Sequence, residues 1–205
     1  AKITTEIAAV FIEPIQGEAG IRVADLSFMQ ALRAKCTETG TLLIFDEIQS
    51  GFGRSGKMFA FEHYNTVPDV LLLAKGIGGG MPIGAFISSF EIMSVLSHNP
   101  ILGHMTTFGG HPVCCAAGLA TLRTLIDGNI VEEVEKKGLL FKQLLKHPAI
   151  KEIRGKGLML AIEFEDFETN KKIIDACILD GVLSDWFLHC SKSMRIAPPL
   201  IITEQ

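Results

Sequence analysis

The sequence predicts an α/β fold: a mostly parallel sheet, followed by a smaller α+β unit. Three observations predict it. Short apolar runs recur, each closing on a charged or small residue; a segment of helical spacing separates the first two; and the rhythm changes to shorter mixed elements after residue 128. Near-continuous apolar strands suit a sheet covered on both faces, and parallel neighbours need a crossover long enough to hold a helix.

Taken in order, Ile7 to Glu13 reads as a buried strand closed by a carboxylate and Pro14. Leu26, Met29, Leu32, Ala34 and Cys36 have helical spacing, which predicts a helix over 26–39 with Asp25 as N-cap and Gly40 as C-cap. Thr41 to Phe45 and Val70 to Ala74 are further buried strands, and Ile83 to Ser88 a fourth. Pro112 to Ile126 and Ile130 to Lys146 read as helices, until His147-Pro148 breaks the pattern. An apolar strand (157–164), a helix (169–180) and a strand-like Met194-Arg195-Ile196-Ala197 follow. This places a large domain over 1–128 and a small domain over 129–205. The chain opens at Ala1 in mid-element and stops at Gln205 soon after a strand-like run, so a piece of a longer protein is expected.

Composition narrows the function. The formal net charge of -4 leaves no basic footprint for nucleic acid, and no apolar run reaches the roughly 18 residues that span a bilayer. Neither nucleic acid nor membrane is an expected partner. The five cysteines lack metal or disulfide spacing, which suits reduced thiols in a cytoplasmic protein; no metal site is expected.

In parallel sheets ligands sit beyond the carboxyl ends of the strands, and Glu13, Asp46 and Lys75 all lie at such ends. Lys75 ends an apolar run and is followed at once by Gly76-Ile77-Gly78-Gly79-Gly80. An amine there is poorly solvated and well placed to attack a carbonyl. Asp46 could cap a helix. Its alternative is to pair with a heterocyclic nitrogen, an attraction of about 5 kcal/mol before desolvation at about 3 Å and an effective dielectric of 20. The pair describes pyridoxal phosphate, with the lysine forming the Schiff base and the carboxylate keeping the ring an electron sink. Thr106-Thr107-Phe108-Gly109-Gly110 precedes a helix and offers hydroxyls and N–H groups to a phosphate, or caps alone. Arg195, amid apolar residues, needs an anion: a structural carboxylate such as Glu18, or that of a substrate. His104 and His111 are read as local hydrogen bonders. The run Gly51 to Met58 imitates nucleotide loops, but Met58 stands where a phosphate loop needs Ser or Thr, and no strand runs directly into it.

With these residues the chain resembles the class III pyridoxal-phosphate aminotransferases, the ornithine and acetylornithine branch in particular. The blocks that carry the resemblance are Glu13-Pro14-Ile15-Gln16-Gly17-Glu18-Ala19-Gly20, Asp46-Glu47-Ile48-Gln49-Ser50-Gly51, Ala74-Lys75-Gly76, Thr106 to Gly110, Arg154 to Leu158 and Arg195 to Leu200. The resemblance implies a fold-type-I transferase binding pyridoxal 5'-phosphate. It implies that Lys75 holds the cofactor and shuttles the proton, that Asp46 pairs with the ring nitrogen, and that Gln49 bonds the phenolic oxygen. Thr107 would reach the cofactor phosphate across a homodimer interface. Glu13 joins the cofactor-binding candidates by its strand-end position. Arg195 would bind a substrate carboxylate, with Glu18 pairing it when none is present. The implied activity moves an amino group from the terminal amine of an ornithine-like donor to 2-oxoglutarate. The alternatives are an aminomutase or decarboxylase on the same scaffold, a nucleotide-binding module resting on Gly51 to Met58, or a non-catalytic fragment. The family's phosphate loop and ring-stacking aromatic have no match here.

Overall fold

The computed structural model describes residues 3–204. The elements run β1 (Ala9–Ile12), β2 (Ile15–Gln16), β3 (Arg22–Val23), α1 (Leu26–Thr39), β4 (Leu42–Asp46), β5 (Val70–Leu73), β6 (Ala85–Ser88), α2 (Phe90–Ser94) and α3 (Pro112–Asp127). Then come α4 (Val134–Leu144), β7 (Glu152–Lys156), β8 (Met159–Glu163), α5 (Phe167–Leu179), β9 (Trp186–Phe187) and β10 (Cys190–Ile196). Short 3-10 turns lie at Ala60–Tyr64, Lys75–Gly78, Val95–Ser97 and Ile130–Glu133.

The first sheet has the order β1-β4-β5-β6. β1, β4 and β5 are parallel and β6 is antiparallel. Helix α1 covers one face: Met29, Leu32 and Cys36 pack with Leu43, Phe45, Leu71 and Leu73. Gly40 ends α1 in a left-handed conformation (φ 71°). Asp25 occupies the N-cap position with its side chain exposed and makes no side-chain capping bond. The Asp69 carboxylate accepts the Leu43 N–H at 2.6 Å and binds Arg33 at 2.8 Å, which pins the start of β5 to β4 and α1.

The other face is open at its margins. Phe11 aligns with the buried Ile44 and Phe86 with Leu72, yet Phe11 is 69 % and Phe86 48 % exposed. The two-sided cover expected from the apolar runs is therefore confined to the central strands. Ile7, read as the start of a buried strand, lies before β1 and is exposed.

The second sheet, β7-β8-β10-β9, is wholly antiparallel. Ile162, Phe164, Ile174 and Met194 bury one side of it under α5. Strands β7 and β9 are additions to the expected pattern. β7 holds polar Glu152, Arg154 and Lys156, so it shows no apolar run. The segment 130–146 is also not one helix: a 3-10 turn leads into α4, which ends at Leu144. No helix among the described residues is long and apolar enough to cross a membrane.

Candidate active site

Because β1, β4 and β5 are parallel, Glu13, Asp46 and Lys75 emerge at one edge of the sheet. The chain leaves the sheet directly after Leu73, and Lys75 opens a 3-10 turn with φ 45°. A left-handed lysine costs about 1–2 kcal/mol, and such outliers gather at functional sites. The side chain is exposed rather than poorly solvated, because Lys75 lies beyond the ladder and lines an open cavity. Among the described residues its amine has no hydrogen-bond or ion-pair partner.

Asp46 is half-buried, and its Oδ1 accepts the Ile48 N–H at 2.9 Å. Its Oδ2 has no partner among the described residues. No helix follows it, so Asp46 shapes a turn and is not a helix cap. Beside it, Glu47 is 1 % exposed and accepts the N–H groups of Ala60 (2.5 Å) and Phe61 (2.8 Å). Burial pushes this carboxyl up to about 7, against the pull of those N–H groups and of Ser50. Glu13 accepts the Gly17 N–H at 2.8 Å, closing a turn, and stands outside the cavity lining.

A second group of side chains meets across the cavity. Arg195 Nη2 donates to Glu18 Oε1 at 2.8 Å. Gln49 bridges the pair: its Nε2 donates to Glu18 Oε1 at 3.1 Å and its Oε1 accepts from Arg195 Nη1 at 3.2 Å. Only this orientation of the amide makes both bonds. The Leu188 N–H donates to Glu18 Oε2 at 3.1 Å, and the Arg195 guanidinium stacks 4.5 Å from the Phe187 ring centroid. Burial alone would raise the Glu18 carboxyl. Bonds from Arg195, Leu188 and Gln49, with the charge of Arg195, outweigh it and hold the pKa down at about 2. A Cβ on Gly17 would lie 2.6 Å from Gln49 Oε1, so a larger residue there would push the bridging amide aside.

Arg154 supports this group from behind. Its Nε donates to the Gly20 carbonyl and its Nη2 to Ser193 Oγ at 2.9 Å, tying the Glu18 loop to β10; its Nη1 pairs with Glu163. The cavity holds 410 Å³, a volume suited to a small organic ligand. Lys75, Gln49, Glu18 and Arg195 line it, together with Arg54 and Thr121, which the sequence did not single out. Arg54 belongs to the nucleotide-like run, which folds as turns with no helix opening from it. Thr121 is hidden in the apolar pattern of α3. Thr107 stands apart in the exposed loop before α3. His111 caps that helix, accepting the Val113 N–H, and His104 bonds the Leu96 carbonyl. Among the described residues no group of three His, Cys, Asp or Glu could hold a metal, and all five cysteines are free.

The parallel sheet thus delivers an amine and a carboxylate to one edge, and Lys75 shares its cavity with the Glu18–Arg195 pair, while Asp46 stands outside the lining. Comparison with known proteins gives the family. The class III aminotransferase family matches residues 1–205, and the chain belongs to it. Among solved structures, the ornithine aminotransferase of Toxoplasma gondii, reported with partial occupancy of PLP at its active site, is 36 % identical with a TM-score of 0.87; the match covers 98 % of this chain and 48 % of that one. The acetylornithine aminotransferase of Elizabethkingia anophelis is 39 % identical with a TM-score of 0.88, over 97 % of this chain and 50 % of that one. The ornithine δ-aminotransferase of Plasmodium falciparum is 35 % identical with a TM-score of 0.85, over 96 % and 52 %. The chain thus spans about half the length of the solved relatives it matches.

Proposed function

We propose that this chain carries the lysine-bearing part of a pyridoxal-phosphate aminotransferase that moves the terminal amine of an ornithine-like donor to 2-oxoglutarate. The observation that carries the reading is the Glu18–Arg195 pair at 2.8 Å, bridged by Gln49, in the cavity that holds the unpartnered Lys75 amine. In this reading residues 1–128 belong to the cofactor-binding domain and 129–205 to the small domain.

The residues fit the cofactor. Lys75 offers a free amine for a carbonyl, and Asp46 keeps a free carboxylate oxygen at the adjacent strand end for a protonated ring nitrogen. When bound, pyridoxal phosphate supplies an electron sink conjugated to the amine-bearing carbon. Lys75 Nζ would take the proton from that carbon and return one when the amino group is delivered. Asp46, whose Oδ2 has no partner among the described residues, would hold the ring-nitrogen proton. Gln49 Nε2 gives one N–H to Glu18 and keeps a second that would serve the phenolic oxygen. Thr107, on its exposed loop, serves the phosphate site of a second subunit in a homodimer.

The gate explains how one cavity serves two substrates. A dicarboxylic 2-oxo acid brings a carboxylate that displaces Glu18 from Arg195, and the guanidinium fork then binds it in two places. A terminal-amine donor brings none at that position, so Glu18 stays on Arg195 and the guanidinium keeps its partner. The test is to follow each half-reaction of the full-length protein by the visible absorption of its cofactor. Conversion by ornithine-type amines and reversal by 2-oxoglutarate is the expected result; inertness to both overturns the reading.

A further inference from the structure

We propose that Arg54 is the positioning residue for Arg195, holding from the far side of the cavity the strand end that carries it. The inference rests on the reading of Arg195 as the acceptor clamp. The observation comes from the end of the β8–β10 ladder, whose last pair is Ile196 with Leu160. Two residues further in the same register, Pro198 would face Leu158. Proline has no N–H to offer, so the ladder cannot continue and the carbonyls there lose their usual donors.

Arg54 supplies the missing donors. Its Nη1 donates to the Pro198 carbonyl at 2.6 Å and to the Leu158 carbonyl at 3.2 Å, while the Leu158 N–H donates to the Arg54 carbonyl at 3.1 Å. One residue of the loop after β4 thereby completes a sheet built about a hundred residues later. The approach is close: Gly157 has φ 54°, and a Cβ on it would lie 2.5 Å from the Ser55 carbonyl carbon. The root of the loop is fixed by Glu47, which binds the N–H groups of Ala60 and Phe61.

Arg54 is half-buried, burial pulls its pKa down, and among the described residues no carboxylate pairs with it. A guanidinium removed from water without a counter-charge is costly, so its carbonyl bonds must serve the structure closely. What they fix is the backbone three residues beyond Arg195. A frayed end there would move the guanidinium off Glu18 and Gln49, and off the carboxylate that replaces them.

The test uses the full-length holoenzyme with Arg54→Met and Arg54→Lys. We expect Arg54→Met to raise the KM for 2-oxoglutarate and the inhibition constant of glutarate by about tenfold, the equivalent of about 1.4 kcal/mol. The donor half-reaction should stay within about twofold. Arg54→Lys, which can still donate to both carbonyls, should show about a threefold rise, again on the acceptor side alone. Equal changes for donor and acceptor, or none, overturn the proposal. If Arg54→Met does not fold, the same pattern in Arg54→Lys decides. Backbone amide exchange separates this idea from the clamp reading itself. Exchange across 194–196 should quicken by about tenfold in the variants whether or not 2-oxoglutarate is the acceptor, and unchanged protection there sinks the positioning role.

Discussion

Glu18 and Arg195 lie 177 residues apart in sequence and 2.8 Å apart in space. The pair joins the loop between β2 and β3 to the strand β10 of the other sheet. Both side chains keep about a third of their surface open, 35 % for Glu18 and 27 % for Arg195. A pair so exposed is screened and worth on the order of 1 kcal/mol, which an incoming carboxylate can repay. Full burial would lock it; full exposure would leave Arg195 unoriented.

The first prediction follows from that balance. Arg195→Ala in the full-length enzyme should lower kcat/KM for 2-oxoglutarate by about 100-fold or more, since charged hydrogen bonds contribute roughly 1.5–3 kcal/mol each. The terminal-amine donor should lose less than about tenfold. Glu18→Ala should do the reverse, improving α-amino donors by freeing Arg195. Steady-state kinetics of both half-reactions check it; equal losses in both variants would leave only a structural ion pair.

Much of this was legible in the sequence, and the reason differs by element. Helix α1 shows because its apolar residues repeat at helical spacing and Gly40 marks its end. Lys75 and Asp46 show because each closes an apolar strand. Gln49 reads only as a cofactor ligand, because a bridge between residues 31 positions before it and 146 after it leaves no local pattern. Arg54 sits inside a glycine run that imitates a nucleotide loop, and its partners are backbone carbonyls, which any sequence could supply. Strand β7 is missed for a related reason: Arg154 is buried by ion pairs rather than by apolar neighbours, so burial there has no hydrophobic signature.

The second prediction concerns pH. With its folded pKa held at about 2, below the unfolded value near 4.5, the Glu18 carboxylate contributes stability that is fully present above the unfolded pKa and is lost as pH falls through about 2. The pair should therefore stay closed across the neutral range. The wild-type KM for 2-oxoglutarate should not approach that of Glu18→Gln as the pH is lowered to about 5. Convergence of the two by then would show a carboxyl that titrates far higher than this geometry allows.

Glu47 has the opposite sign. Its folded pKa of about 7 lies above the unfolded value near 4.5, so its stabilising contribution is complete below the unfolded pKa and is lost as pH rises through about 7. Unfolding measurements on the full-length protein should show stability falling between about pH 4.5 and pH 7, by no more than about 3 kcal/mol from this group. Glu47→Gln should remove that slope. It should also cost roughly 1–3 kcal/mol, because the amide points an N–H at one of the donors of Ala60, Phe61 or Ser50. A variant with an unchanged slope would assign the pH dependence to another group.

The last prediction separates the two roles of Asp46. Asp46→Asn keeps an oxygen for the Ile48 N–H, so the turn that follows β4 should survive and the protein should bind pyridoxal phosphate in near-normal stoichiometry. What it loses is charge. The amide nitrogen would donate to the ring nitrogen and favour its unprotonated form, which is the wrong state for an electron sink. The attraction removed is about 5 kcal/mol before desolvation, so even partial expression of it should cut turnover by at least about 100-fold. Two measurements decide: cofactor content from the visible spectrum, and the rate of each half-reaction. Loss of cofactor together with fold would mark Asp46 as a structural turn residue. Full cofactor content with near-normal turnover would show that its free oxygen faces no ring nitrogen at all.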